Sequence, residues 1–159
     1  MSRVDIRLVD AEAWAAWRQI RLTALADTPT AFGSTYESEI GFVESDWRSR
    51  LGQGGPAVLA LGAGEPVGMG AGYQDLEGWL HLVAMWVDPR WRGHRVGSQI
   101  LEELVGWAGQ RGLRSHLDVT IGNPAAQRFY ERFGFVGTGE ARPLRPGSTR
   151  VVERMVLPQ

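Results

Sequence analysis

Nine consecutive residues, Trp79-Leu80-His81-Leu82-Val83-Ala84-Met85-Trp86-Val87, carry a single polar side chain, His81. The stretch Asp88-Pro89-Arg90-Trp91-Arg92-Gly93-His94-Arg95-Val96-Gly97-Ser98 follows at once, rich in Pro, Gly and Arg. An apolar run of that length reads as a buried strand, and the punctuated stretch as a loop. Beyond it, Val96, Ile100, Leu104 and Ala108 fall on one helical face, which Leu101 and Val105 widen. A strand that passes through a glycine loop into a helix aims unpaired N–H groups and the positive end of a helix dipole at one small volume. Gly93 and Gly97 would let an anion reach the main chain, and Arg92 and Arg95 add charge. The same letters could also serve as a plain turn.

The chain bounds what that anion can be. Its 159 residues fit one domain, 1–159, and show neither repeat nor linker. A net charge of −1 argues against a general nucleic-acid binder. The start, Met1-Ser2-Arg3-Val4-Asp5-Ile6-Arg7, lacks the apolar centre of a signal peptide, and no run approaches the roughly 18 apolar residues of a membrane span. A cytoplasmic protein is expected. There is no Cys, so thiol nucleophiles, thiolate zinc sites and disulfides are excluded. All 17 basic residues are Arg, so there is neither a phosphate-loop lysine nor a Schiff base. Catalysis must use His, Tyr, carboxylates or backbone.

The remaining segments suggest the architecture. Val4 to Val9 alternates as a half-buried strand, and Asp10 can cap a helix with Ala13, Trp17, Ile20 and Ala24 on one face. A short helix is expected near Glu37 to Ile40, another from Ser45 to Gly52, and a turn at Gln53-Gly54-Gly55. Pro56 to Leu61 and Val67 to Tyr73 form a hairpin around Gly62-Ala63-Gly64-Glu65. After Trp79 to Val87 and its helix come a strand at Leu117 to Ile121 and a helix from Asn123-Pro124 to Phe133, stopped by Gly134. The last strands are Phe135 to Thr138 and Val151 to Leu157. This order predicts an α/β domain with a mixed, mostly antiparallel sheet flanked by helices, in which Trp79 to Ile121 forms a parallel crossover. Gly68-Met69-Gly70-Ala71-Gly72 imitates a dinucleotide fingerprint but has no helix after it; such glycines keep a strand face open for a ligand or accommodate a bulge.

Arg92-Gly93-His94-Arg95-Val96-Gly97 after a Val-Asp-Pro strand end resembles the acyl-CoA pyrophosphate loop of the GNAT superfamily of acetyl-CoA-dependent N-acetyltransferases. Asn123-Pro124-Ala125-Ala126-Gln127-Arg128-Phe129-Tyr130-Glu131-Arg132-Phe133-Gly134-Phe135 resembles the second signature of that family. The separation of the two motifs and the element order match as well, so the resemblance covers nearly the whole chain and implies the GNAT-like fold. The departure is Arg95, where the family commonly has Gly; Arg fits there if its φ is negative.

By this resemblance the backbones of Met85, Trp86 and Val87 lie along the pantetheine arm of acetyl-CoA, and Met85 and Val87 hydrogen-bond it as an added strand. The N–H groups of Arg92, Gly93, His94, Arg95, Val96, Gly97 and Ser98 hold the pyrophosphate. Asn123 sits beside the arm, and Tyr130 near the thioester sulfur as general acid. His81, four residues ahead of Met85 where many members carry a glutamate, is the candidate base. It can equally be a hydrogen-bonded structural histidine. Glu37, Glu39, Asp75 and Glu77 are alternates, His94 a loop residue near the phosphates and His116 a strand-edge residue. Three scattered His without Cys do not suggest a metal. Arg142, Arg145 and Arg150 in the Glu140–Arg150 loop are either solvated or rim an acceptor site that favours a carboxylate or phosphate.

The implied reaction is direct attack of a primary amine, on a small molecule, peptide or protein, at the thioester. The rivals are a CoA-binding regulatory module without catalysis and a transferase of a longer acyl group. Seven Trp in a small domain leave room for an exposed apolar patch and a homodimer. Neither nucleic acid nor membrane is an expected partner.

Overall fold

The described residues form seven strands, β2 and β4 from apolar runs and the others from more mixed segments: β1 (Val4–Leu8), β2 (Ala57–Gly62), β3 (Glu65–Gln74), β4 (Trp79–Val87), β5 (Arg114–Thr120), β6 (Val136–Pro143) and β7 (Val151–Val156). They form one sheet in the order β1-β2-β3-β4-β5-β7-β6, antiparallel at every pairing except the parallel β4–β5. The computed structural model describes residues 3–52 and 54–159. Gln53 of the expected turn, and the Met1-Ser2 start, lie outside the described residues.

Helices cover both faces. On one, α1 (Trp14–Asp27), the four-residue α2 (Tyr36–Glu39) and α3 (Glu44–Arg50) gather Trp17, Ile20, Leu25, Trp47 and Leu51 against Leu59, Met69 and Trp86 of the sheet. On the other, α4 (Val96–Gln110) buries Val96, Ile100, Leu101, Leu104 and Ala108 against Val58, Ala60, Leu80, Leu82 and Leu117. The apolar face of α5 (Pro124–Phe133), Ala126, Phe129, Tyr130 and Phe133, packs on this second cluster. Asp10 caps a single 3-10 turn ahead of α1, its carboxylate accepting the Glu12 amide at 3.0 Å. No helix among the described residues is long and apolar enough to cross a membrane.

The structure changes four expectations. Gly68 and Gly70 do not hold a face open, because α4 fills it. A Cβ on Gly68 would stand 2.9 Å from Ile100 Cδ1, and one on Gly70 2.7 Å from both Ile100 Cγ2 and Met85 Sδ. The glycines let a helix sit close on the sheet, and Gly70 falls at the bulge, between the Met69 and Ala71 pairings with β4, in line with the second reading. Second, β6 runs on to Pro143, so the Arg-rich loop begins only at Leu144; Glu153 supports the extension by accepting the Gly139 amide at 3.0 Å. Third, His116 is internal, because its strand lies between β4 and β7. Fourth, none of the seven tryptophans is exposed, so the tryptophan argument for a dimer falls away.

The close helix contact at Gly70 has a measurable consequence. Gly70→Ala forces its methyl into Ile100 and Met85, and overpacking of this kind costs about 1–3 kcal/mol. Urea unfolding should show a lower midpoint with an unchanged slope; an unchanged midpoint would contradict the close packing.

Candidate active site

Strands β4 and β5 stay together for four residues only, from Trp79↔Arg114 to Leu82↔Leu117. Beyond Leu82 they separate. The bulge against β3 leaves Ala84 at φ 60°, a left-handed conformation that a non-glycine residue adopts at a cost of roughly 1–2 kcal/mol. An extra residue of this kind bends its strand and raises the local twist. Val83–Val87 and Asp118–Thr120 thus flank a wedge in which neither strand has the other as a ladder partner.

Two cavities of about 530 Å³ each open from this wedge. The first lies under α1 and the connection that follows it, lined by Trp17, Arg21, Phe32, Arg50, Tyr73, His81 and Arg142 among others. The second runs along β4 to the start of α4 and is lined by Met85, Trp86, Val87, Arg92, Gly93, Arg95–Ser98, Asn123 and Phe129. Both are lined by Ala31, Met85, Asp118, Thr120 and Tyr130, so those five residues surround the passage between them. The wall above is tied down at two points: Thr120 Oγ1 donates to the Thr30 carbonyl at 3.0 Å, and Arg145 Nη1 to that of Phe32 at 2.9 Å.

The second cavity suits an extended chain ending in phosphates. Helix α4 has no side-chain cap, and its cap residue Arg95 has φ 66° and ψ 16°. The condition under which arginine fits without strain, a negative φ, is not met: the backbone here takes the glycine conformation, and arginine carries it with strain. Val96, Gly97 and Ser98, in the first turn, have no preceding helical carbonyl to bond, and all three line the cavity. Arg92 points its Nε at the Val87 carbonyl (2.9 Å), which takes one of that oxygen's lone pairs. His94 is exposed and does not line the cavity. Asn123 lines it at the start of α5, where its side chain also caps the helix by accepting the Ala126 amide at 3.2 Å.

Tyr130 belongs to the passage. It packs edge-on to Phe129 and Phe135. Burial raises its pKa above the usual 10, so the phenol is protonated at neutral pH. A thiolate whose acid has a pKa of about 8.5 receives a hydrogen bond from such a phenol more readily than its proton.

His81 is buried in the first cavity. Its Nδ1 lies 2.8 Å from Nδ1 of His116, whose Nε2 lies 3.1 Å from Asp75 Oδ2. Its own Nε2 is 3.9 Å from Asp118 Oδ2. Burial, only partly opposed by Asp118, lowers the His81 pKa to about 4, against the ordinary 6.5 expected from its type. Two of the three scattered histidines are therefore neighbours, and the alternate base Asp75 bonds the second of them. The other alternates do not serve: Glu39 is fully buried between Arg21 (2.9 Å) and Arg50 (2.9 Å), while Glu37 and Glu77 are exposed and line neither cavity. Of the three loop arginines only Arg142 reaches the first cavity, and it is spent on Asp118; Arg150 faces a separate surface cleft.

Asp118 itself escaped the sequence reading. It accepts from Arg142 and from Arg154 Nε (2.9 Å), which hold its carboxyl below the usual range despite burial. Its strand, Arg114–Thr120, also carries Arg, Ser, His and Thr, so composition alone did not single the carboxylate out.

The family model for the acetyltransferase (GNAT) family matches residues 14–135, and the chain belongs to that family. An acetyltransferase of Agrobacterium fabrum is 33% identical over 73 residues, 45% of this chain; the chain spans 52% of that relative's length. A GNAT-family acetyltransferase of Streptococcus pneumoniae superposes with a TM-score of 0.80 at 22% identity, covering 98% of this chain and 100% of the other. A Salmonella typhimurium protein solved with its cofactor acetyl-CoA gives 0.76 at 20% identity, over 98% and 94% of the two chains. At these identities the likeness is one of fold.

Two outcomes follow from the geometry. Arg95→Gly should keep the loop and raise or preserve the melting temperature, whereas Arg95→Val, β-branched at positive φ, should lower it by several degrees. Since folding depresses the His81 pKa, the unfolded chain binds its proton first. The stability due to neutral His81 is complete above about 6.5 and falls as pH drops toward about 4. Melting curves across that window should decline for the wild type and flatten for His81→Asn.

Proposed function

We propose that this protein is an acetyl-CoA-dependent N-acetyltransferase that acetylates a primary amine by direct attack. The observation that carries the reading is the shared passage at Met85, Asp118 and Tyr130, which joins a phosphate-suited cleft to a separate cavity. Among the described residues these belong to the few that line both cavities, so a donor and an acceptor could meet there. Family membership supports the same chemistry.

In this reading the uncapped first turn of α4 and the Arg92–Ser98 loop hold the pyrophosphate. Each helix-end charge contact of this kind contributes about 0.3–2 kcal/mol. Met85 and Val87 offer backbone groups on the open side of β4 to the pantetheine arm, with Trp86 between them and Asn123 facing across. Acetyl-CoA supplies the thioester whose carbonyl carbon the amine attacks; the C–N bond forms as the C–S bond breaks. Tyr130 donates a hydrogen bond to the departing sulfur. His81 takes the proton that the amine nitrogen sheds, which matters because an alkylamine of pKa about 10.4 is almost wholly protonated at neutral pH. The absence of thiol chemistry on a chain without cysteine agrees with direct transfer rather than an acyl-enzyme.

Saturating acetyl-CoA should raise the melting temperature. A panel of amine acceptors, assayed by release of free CoA thiol, should then identify at least one substrate. Tyr130→Phe should lower kcat by about 10²-fold or more and preserve the shift with acetyl-CoA. A lost thermal shift in the wild type would refute the reading, and unchanged turnover in the variant would remove Tyr130 from the chemistry.

A further inference from the structure

A base at the wall of the acceptor cavity has to dispose of the proton it takes. His81 alone does this poorly, since it is buried and its charged form is disfavoured. The hydrogen bonds around it provide an exit. A separation of 2.8 Å between two imidazole Nδ1 atoms requires that one carries hydrogen and the other a lone pair. Asp75 decides which. Its Oδ1 accepts the Glu77 and Trp79 amides, and its Oδ2 faces His116 Nε2. These bonds hold it ionised, its pKa lowered against a smaller opposing cost of burial when they are taken together. An ionised carboxylate accepts only, so His116 in its neutral form carries its hydrogen on Nε2 and leaves Nδ1 bare. His81 must then donate from Nδ1, and its Nε2 presents a lone pair beside Asp118.

We propose that Asp75 and His116 are positioning residues that make His81 the cavity end of a proton relay leading out of the acceptor cavity. An N–H bond of the acceptor amine breaks and its proton bonds to His81 Nε2, the electron pair staying on nitrogen. The Nδ1 proton of His81 passes to His116 Nδ1. Positive charge then stands on His116, whose Nε2–H is held by Asp75, a side chain 27% exposed to water. His81 ends neutral, as the opposite tautomer. The other groups around the pair agree with this direction. Tyr73 and Trp79 flank it with their rings at 5.1 and 5.0 Å. Asp118 is already satisfied by Arg142 and Arg154, and those two guanidiniums disfavour charge on His81.

The relay rests on the transferase reading for its purpose but not for its test. With only three histidines, the imidazole ¹⁵N resonances of the labelled protein are assignable by single substitutions. At neutral pH the expected spectrum has His81 protonated at Nδ1 and His116 at Nε2. On acidification the first proton should convert His116 to imidazolium while His81 switches to its Nε2–H form. A His81 that already carries its proton on Nε2, or that becomes imidazolium before His116, overturns the proposal. Asp75→Asn keeps the oxygen that the two amides need and replaces the acceptor facing His116 by a donor. Both tautomers should invert, so that Nε2 of His81 is blocked, and kcat for acetyl-CoA-dependent thiol release should fall about tenfold or more with KM for acetyl-CoA unchanged. Inverted tautomers with undiminished kcat would also overturn it. Should that variant not fold, the wild-type titration decides alone. Wild type without thiol release would refute the transferase, and the spectra would still judge the relay.

Discussion

The parting of β4 from β5 is the constraint on which everything else in the molecule depends. Parallel strands need a crossover, and here the crossover is α4, whose first turn must stand at the end of β4 where the strands open. The helix can lie close enough only because Gly68 and Gly70 present no side chain to Ile100 and Val96. The bulge at Ala84 adds a residue to β4 and turns its free edge toward the gap. Strain is held at two points near the opening, Ala84 and Arg95, each a non-glycine residue at positive φ. A sheet that closed this gap with ordinary pairing would gain ladder hydrogen bonds and lose both cavities.

Much of this is legible in the chain because period and punctuation agree. The nine-residue β4 is read to the residue, since a strand buried on both faces reads as an apolar run, here with His81 as its one polar member, and ends at Asp88-Pro89. Asn123-Pro124 and Gly134 bracket α5 for equally local reasons, a cap, a fixed φ and a positive φ of 125°. The elements that escape are those decided by a distant partner. The continuation of β6 past Thr138 depends on Glu153 across the ladder, and the Gly68–Gly72 spacing makes sense only once α4 lies over it. The candidate site divides along the same line. Tyr130 and the loop glycines are local grammar. The pairing of His81 with His116 is a register between strands thirty-five residues apart, which composition cannot reveal.

Charge explains why a relay suits this cavity better than a lone base. Two carboxylates face two pairs of arginines: Glu39 with Arg21 and Arg50, and Asp118 with Arg142 and Arg154. Each cluster keeps one uncompensated positive charge. In a partly desolvated space such fields act over several ångströms, and beside His81 the guanidiniums of Arg142 and Arg154 disfavour its charged form while Asp118 favours it. In the proposed reaction an acceptor amine meets this net positive charge, which helps its proton to leave, while the nearest base is one on which that proton does not rest. Moving the charge across one hydrogen bond to His116 places it beside the carboxylate of Asp75 and near water. In the proposed relay the depressed basicity of His81, which on its own argues against a catalytic role, gives the proton its direction.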